Sequence, residues 1–138
     1  MKIYLDTSAL LRLVLREPGG LDDVRAAEGL VSSELIAVEA HRTLDRLRLQ
    51  GALTTAEAAA RSRVVGEWLE AVDLVLLRAP ILSLASEPLV VGLGTLDAVH
   101  LATARSWRDR FGEPLAVATH DAALGLAARA HGFDVLGA

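Results

Sequence analysis

The chain has 138 residues, no cysteine, a formal net charge of −4 and 52% hydrophobic residues. That length suits one domain spanning 1–138, with enough apolar material for one core. Without cysteine there is no disulfide scaffold and no thiolate zinc or iron–sulfur site. A bound metal must therefore use carboxylates, imidazoles or carbonyls, which favours magnesium or manganese.

Residues 2–6 read as a short buried strand, too short and too apolar to alternate. Thr7 to Arg16 reads as a helix stopped by Glu17-Pro18-Gly19-Gly20, with a short helix from Leu21 to Ala27 after it. Leu30-Val31-Ser32 is a second strand, and a long helix follows from Ser33 to Gln50, stopped by Gly51. Thr54-Thr55-Ala56-Glu57 is a capping-box pattern that opens a helix through Ala71. Asp73 to Leu77 is a third strand. The proline- and glycine-containing stretch 80–94 is expected to hold a short helix and a loop. Thr95 to Arg110 is helical up to Gly112, and Leu115 to Ala118 is a fourth strand. Ala122 to His131 is a helix ended by Gly132, and Phe133 to Leu136 is a last strand. Short, continuously apolar strands alternating with helices imply an α/β fold with a parallel sheet covered on both faces.

Four acids stand in apolar surroundings along this pattern. Asp6 closes the first strand and Asp121 lies just beyond the fourth, and parallel sheets bind ligands at such strand ends. Each has a plainer reading, Asp6 as a helix cap and Asp121 as a charge at a helix's positive end. Glu39 shares the core-facing arc of the long helix with Ile36, Ala40, Thr43 and Leu47, so it needs a partner. Arg42 and Arg46, three and seven residues on, would supply one as a helix-surface ion pair. Asp97 shares an arc with His100, Leu101 and Ala104 in a helix's first turn, where the dipole also favours an acid. Four independent structural acids are less plausible together than singly. A shared divalent cation is the alternative, since buried carboxylates repel one another and lose hydration.

Other features carry less. His100 and His120 neighbour key acids in sequence, whereas His41 and His131 do not. There is no H-E-x-x-H pair, so packed or surface histidines are the default. Gly92-Leu93-Gly94 is followed by Asp97 where a dinucleotide fingerprint needs glycine, and there is no phosphate-binding P-loop. Trp68, Trp107 and Phe111 fall at helical positions and read as core or interface. Asp6 and Arg12 come too early for a signal-peptide core, and no uncharged apolar run approaches the roughly 18–20 residues of a membrane span. A soluble, cytoplasmic protein with no membrane contact is expected. The acidic balance does not favour holding nucleic acid by bulk charge. Of the 14 basic residues Lys2 is the only lysine, which leaves thirteen arginines suited to phosphate, although codon usage in a GC-rich genome is the plainer account of that bias.

With these residues in place, the chain resembles the PIN-domain ribonucleases, and most closely the VapC toxins of type II toxin–antitoxin pairs. Four blocks carry the resemblance: Tyr4-Leu5-Asp6-Thr7-Ser8-Ala9-Leu10; Ser32-Ser33-Glu34-Leu35 leading to Glu39-Ala40-His41-Arg42; Leu96 to Ala104; and Ala118-Thr119-His120-Asp121 with Ala127-Ala128 and Gly132. The resemblance implies a three-layer α/β/α sandwich around a parallel sheet. It implies a catalytic set of Asp6, Glu39, Asp97 and Asp121 holding Mg2+ or Mn2+, with Asp6 and Asp97 as direct ligands and the other two direct or through water. Thr7 and Thr119 match polar positions beside that site. It further implies an RNA substrate, a homodimer, and a hetero-oligomer with a VapB-type antitoxin that pushes a basic side chain into the acids. Arg42, Arg46 and Arg48 are candidate phosphate contacts. The stretch Arg78–Gly94 looks shorter than in many relatives. Competing readings are a PIN nuclease of RNA processing or of DNA, and a PIN-like module that binds RNA or protein without cutting. A haloacid-dehalogenase-type phosphatase would need a second aspartate where Ser8 stands.

Overall fold

A computed structural model describes residues 1–19 and 22–138. Among the described residues, β1 (Lys2–Leu5), β2 (Leu30–Ser33), β3 (Val72–Val75), β4 (Leu115–Ala118) and β5 (Asp134–Leu136) form one parallel sheet in the order β3-β2-β1-β4-β5. The helices are α1 (Thr7–Val14), α2 (Asp22–Arg25), α3 (Leu35–Leu49), α4 (Thr55–Glu70), α5 (Ala79–Ala85), α6 (Thr95–Phe111) and α7 (Ala122–Ala130).

Alternation along each strand builds the three layers. Ile3 and Leu5 of β1, with Ala116 and Ala118 of β4, pack against Leu10 and Val14 of α1, Ile36 and Leu44 of α3 and Val65 of α4. Tyr4, Val31, Leu115 and Val117 point the other way, onto Leu101, Ala104 and Trp107 of α6 and Leu124 and Ala128 of α7. A parallel strand buried on both faces must be apolar on both, which is why β4 reads Leu-Ala-Val-Ala without alternating, whereas the edge strands β3 and β5 carry the exposed Asp73 and Asp134. Leu5, Leu10, Ile36 and Val65 are fully buried. Each such side chain contributes roughly 1.5–3 kcal/mol of transfer free energy.

The elements match the sequence pattern in order and type, with corrections at the ends. β1 stops at Leu5 because Asp6 is the N-cap of α1, its Oδ1 accepting from the Ala9 backbone at 2.9 Å. α1 ends at Val14, not Arg16, because Arg16 enters the left-handed region at φ 55°. The expected start of α2 at Leu21 lies outside the described residues, and the helix covers only Asp22–Arg25. Ser33 belongs to β2 rather than to α3, and its Oγ accepts from the Leu35 N–H at 3.1 Å. β3 sits one to two residues earlier than expected, because pairing of Leu30 with Val72 and Ser33 with Val75 sets its register. β5 begins one residue late, at Asp134, and α7 ends at Ala130 with His131 as its cap. The capping box of α4 is formed, Thr54 Oγ1 accepting from Glu57 N and Glu57 Oε1 from Thr54 N. None of the described helices is long and apolar enough to cross a membrane.

Candidate active site

The chain runs β1-β2-β3 toward one edge of the sheet and then returns to place β4 on the other side of β1. The carboxyl ends of β1 and β4 are therefore the switch point of the sheet, where an open parallel sheet leaves a crevice. Asp6 follows β1 directly and Thr119 follows β4 directly. They meet: Thr119 Oγ1 donates to Asp6 Oδ2 at 2.6 Å, although 113 residues separate them. Ser8 Oγ donates to Asp6 Oδ1 at 2.7 Å. Each hydroxyl in turn accepts a backbone N–H, Thr119 from Asp121 and Ser8 from His120. Asp6, 3% exposed, is thus both the cap of α1 and the centre of a hydroxyl network at the crevice. The cap reading and the site reading describe one carboxylate.

Asp121 also caps a helix, its Oδ1 accepting from Leu124 N at 2.8 Å. Its carboxylate keeps one oxygen free of that cap. Asp97 lies in the first turn of α6, and among the described residues its carboxylate accepts no hydrogen bond. Burial pushes the Asp97 carboxyl above the usual aspartate range, and the charges of Asp121, Asp6 and Glu39 push the same way, against a smaller opposing effect of His100. Chain order puts Asp6 after β1, Glu39 in the helix after β2, Asp121 after β4 and Asp97 at the start of the helix that leads back to β4, all toward the carboxyl edge of the sheet.

Glu39 does not form the helix-surface ion pair that was its plainer reading. Its Oε1 accepts from Thr7 Oγ1 at 2.9 Å and from Nε2 of His100 at 2.6 Å. Burial works to raise its pKa, but the hydrogen bond and charge of His100, with the Thr7 hydrogen bond, outweigh that and hold it below the usual glutamate range. Arg42 and Arg48 are both engaged by Asp45, on the exposed part of α3. Arg46 is exposed and lies about 10 Å along the helix from Glu39, at 1.5 Å per residue. The fold therefore brings Thr7 and Thr119 to the acids and directs the three arginines elsewhere.

Sequence reasoning passed over Ser8, Tyr4 and His100. His100 is packed, as expected of a lone histidine, but between functional neighbours: Nδ1 lies 2.7 Å from Tyr4 Oη and the ring is 2% exposed. The signals available were a tyrosine inside an apolar strand and a histidine three residues after Asp97 on one helical face. Neither says which partner it meets.

The donor set fits a hard divalent cation. It is all oxygen, carries up to four negative charges, and among the described residues leaves Asp97 and one oxygen each of Glu39 and Asp121 without protein donors. Among the described residues no three acidic or histidine side chains are drawn together as a ready cage. Magnesium does not require one, since it takes one or two carboxylates and keeps several waters.

A parallel α/β/α sandwich with acids gathered at its switch point is the architecture of a PIN-type nuclease, and the sequence comparisons agree. Residues 3–136 match the family model described as PIN domain. The chain is 36% identical over 106 residues to Ribonuclease VapC46 of Mycobacterium tuberculosis, covering 75% of this chain and 74% of that protein. The chain belongs to the PIN-domain family and, within it, to the VapC ribonucleases.

Proposed function

We propose that this ribonuclease is a Mg2+- or Mn2+-dependent endoribonuclease, the toxin of a type II toxin–antitoxin pair, with Asp6, Glu39, Asp97 and Asp121 as its catalytic acids. The observation that carries the reading is the meeting of Asp6 with Thr119 and of Glu39 with Thr7 and His100 at the carboxyl edge of the sheet, beside Asp97, whose carboxyl burial and the neighbouring acids push up. Natural sequences rarely leave such repulsion uncompensated, and a cation is the compensation that suits an oxygen-only set.

Asp6 and Asp97 are the direct ligands in this reading, with Glu39 and Asp121 binding directly or through water. When bound, the ion activates water and neutralises charge on a phosphodiester. The chain's own groups do the rest. Thr119 and Ser8 hold the Asp6 carboxylate by both oxygens, so it cannot rotate away as substrate enters. Thr7 and His100 hold Glu39 by one oxygen. Asp97, whose carboxylate accepts no hydrogen bond among the described residues, is free to face a cation.

RNA is the substrate class, as the name of the curated relative states for that protein. A VapB-type antitoxin would neutralise the acid cluster with a basic side chain, and a homodimer is the expected free state. Beside the acids, a cleft of about 520 Å³ lined by Leu82, Leu89, Val91 and Leu93 offers apolar surface that supports association.

The test is cleavage of a mixed RNA pool by the purified protein with Mg2+ or Mn2+. Activity that EDTA abolishes, and that Asp6→Asn and Asp97→Asn each reduce strongly, is expected. Robust cleavage in EDTA, or unchanged activity in both variants, overturns the reading. Light scattering of the protein alone and with a co-expressed antitoxin reads the two assembly states.

A further inference from the structure

The contact between His100 and Glu39 does more than satisfy a buried ring. His100 lies one helical turn after Asp97 on α6, while Glu39 belongs to α3 on the opposite face of the sheet. The 2.6 Å bond between them spans the carboxyl edge of the sheet and ties together two helices that carry acids. Behind the ring, Tyr4 is fully buried in β1. Its Oη accepts the Ser33 backbone N–H at 3.2 Å and meets His100 Nδ1 at 2.7 Å.

Proton accounting fixes the roles. An ionised Glu39 carboxylate only accepts, so Nε2 of His100 carries a proton. On the far side of the ring, Tyr4 Oη stands 2.7 Å from Nδ1 and fixes the ring's orientation. Thr7 donates to the same Glu39 oxygen that His100 does. Both donors load Oε1, and among the described residues Oε2 has no partner.

We infer that His100 is a positioning residue: braced by Tyr4 and donating through Nε2, it orients Glu39 so that Oε2 is presented bare to a divalent cation. This rests on the proposed cation site, and it adds a residue outside the four acids. Outer-shell donors of this kind commonly change metal affinity by about 10–100-fold. Without the bond, Glu39 is free to swing from its acidic neighbours toward solvent.

Two side chains separate positioning from space-filling. A glutamine amide reaches about where Nε2 sits, and an asparagine amide about where Nδ1 sits. His100→Gln therefore keeps the donor to Glu39, whereas His100→Asn can serve only Tyr4. Mn2+ affinity is read by the loss of the free-ion EPR signal, with thermal melts as the check on folding. His100→Asn is expected to bind Mn2+ about 10–100-fold more weakly, and His100→Gln within about threefold of wild type. Equal losses in both variants overturn the positioning role. Long-range 1H–15N correlation on the wild-type imidazoles needs no variant and no metal. A protonated Nε2 on His100 is expected, and a bare Nε2 overturns the inference. If wild-type protein binds no Mn2+ at all, the proposed cation site falls and this inference with it. Normal wild-type binding with a bare Nε2 sinks the inference alone.

Discussion

Asp6 is asked to do two jobs, and two substitutions separate them. Its Oδ1 caps α1 and accepts from Ser8, while Oδ2 accepts from the fully buried Thr119 hydroxyl. Asp6→Ala removes the cap, worth about 1 kcal/mol, and strands two hydroxyl donors at about 1 kcal/mol each. Relief of repulsion in the acid cluster returns part of this, leaving a net loss of roughly 2–3 kcal/mol. For a chain of this size that is a fall in Tm of roughly 10 °C. Asp6→Asn keeps a carbonyl oxygen for the cap and for Ser8, and its amide donates to Thr119. Its stability is expected to lie within about 1 kcal/mol of wild type. Its chemistry is not spared. A carboxylate about 4 Å from a unit positive charge is worth about 4 kcal/mol at an effective dielectric near 20. Neutralising it is expected to slow metal-dependent RNA cleavage by roughly 10²–10³-fold. Differential scanning calorimetry in EDTA and initial cleavage rates in Mn2+ read the two effects apart. Asp6→Asn cutting RNA at the wild-type rate refutes the ligand role, and Asp6→Ala melting together with Asp6→Asn refutes the cap.

The remaining expectations follow from named contacts. Asp97 has a raised folded-state pKa, so the folded protein is relatively more stable below that pKa and loses this advantage as pH rises through it. Asp97→Asn in EDTA should therefore melt higher than wild type at pH 7.5, with the gap closing toward pH 4; a gap that widens on acidification reverses the sign and sinks the argument. Thr54→Ala breaks the capping box of α4 and should cost about 1 kcal/mol in a urea titration while leaving cleavage rates unchanged. Gly137 has φ +91°, and a Cβ there would stand 2.7 Å from the Thr119 carbonyl. Gly137→Ala should cost about 1–3 kcal/mol and also slow cleavage, because the displaced strand end carries Thr119. Full activity with a lowered Tm would show that the C-terminal turn supports the fold alone.

Much of the architecture was legible because the relevant signals are local. The capping box at Thr54, the left-handed glycine stop at Gly112 and the apolar run at Leu115–Ala118 each specify their own neighbourhood. Element ends were less legible where distant partners set them. Nothing within Ser33 itself says that it will pair with Val75 before the helix starts. Among site residues, the four acids stood out because a carboxylate in an apolar setting is costly wherever it lies. Tyr4 and His100 did not, because an aromatic residue and a lone histidine are ordinary core occupants. The plainer alternative for Glu39, an ion pair with Arg42 or Arg46, followed from spacing on one helix. It lost to a histidine 61 residues away because Glu39 faces the sheet edge while Arg42 faces Asp45.

The sequence by itself determined which residues could carry charge into an apolar interior, the alternation of helix and strand, and the parallel sheet that this alternation requires. Short-range physics decides those matters: side-chain period, capping and the cost of burying a carboxylate. Only the tertiary structure decided that β4 lies beside β1. That placement puts Thr119 against Asp6 across 113 residues and His100 against Glu39. Hydrogen bonds are directional and reach about 3 Å, so their partners depend on strand order and helix docking, which no local window of sequence contains.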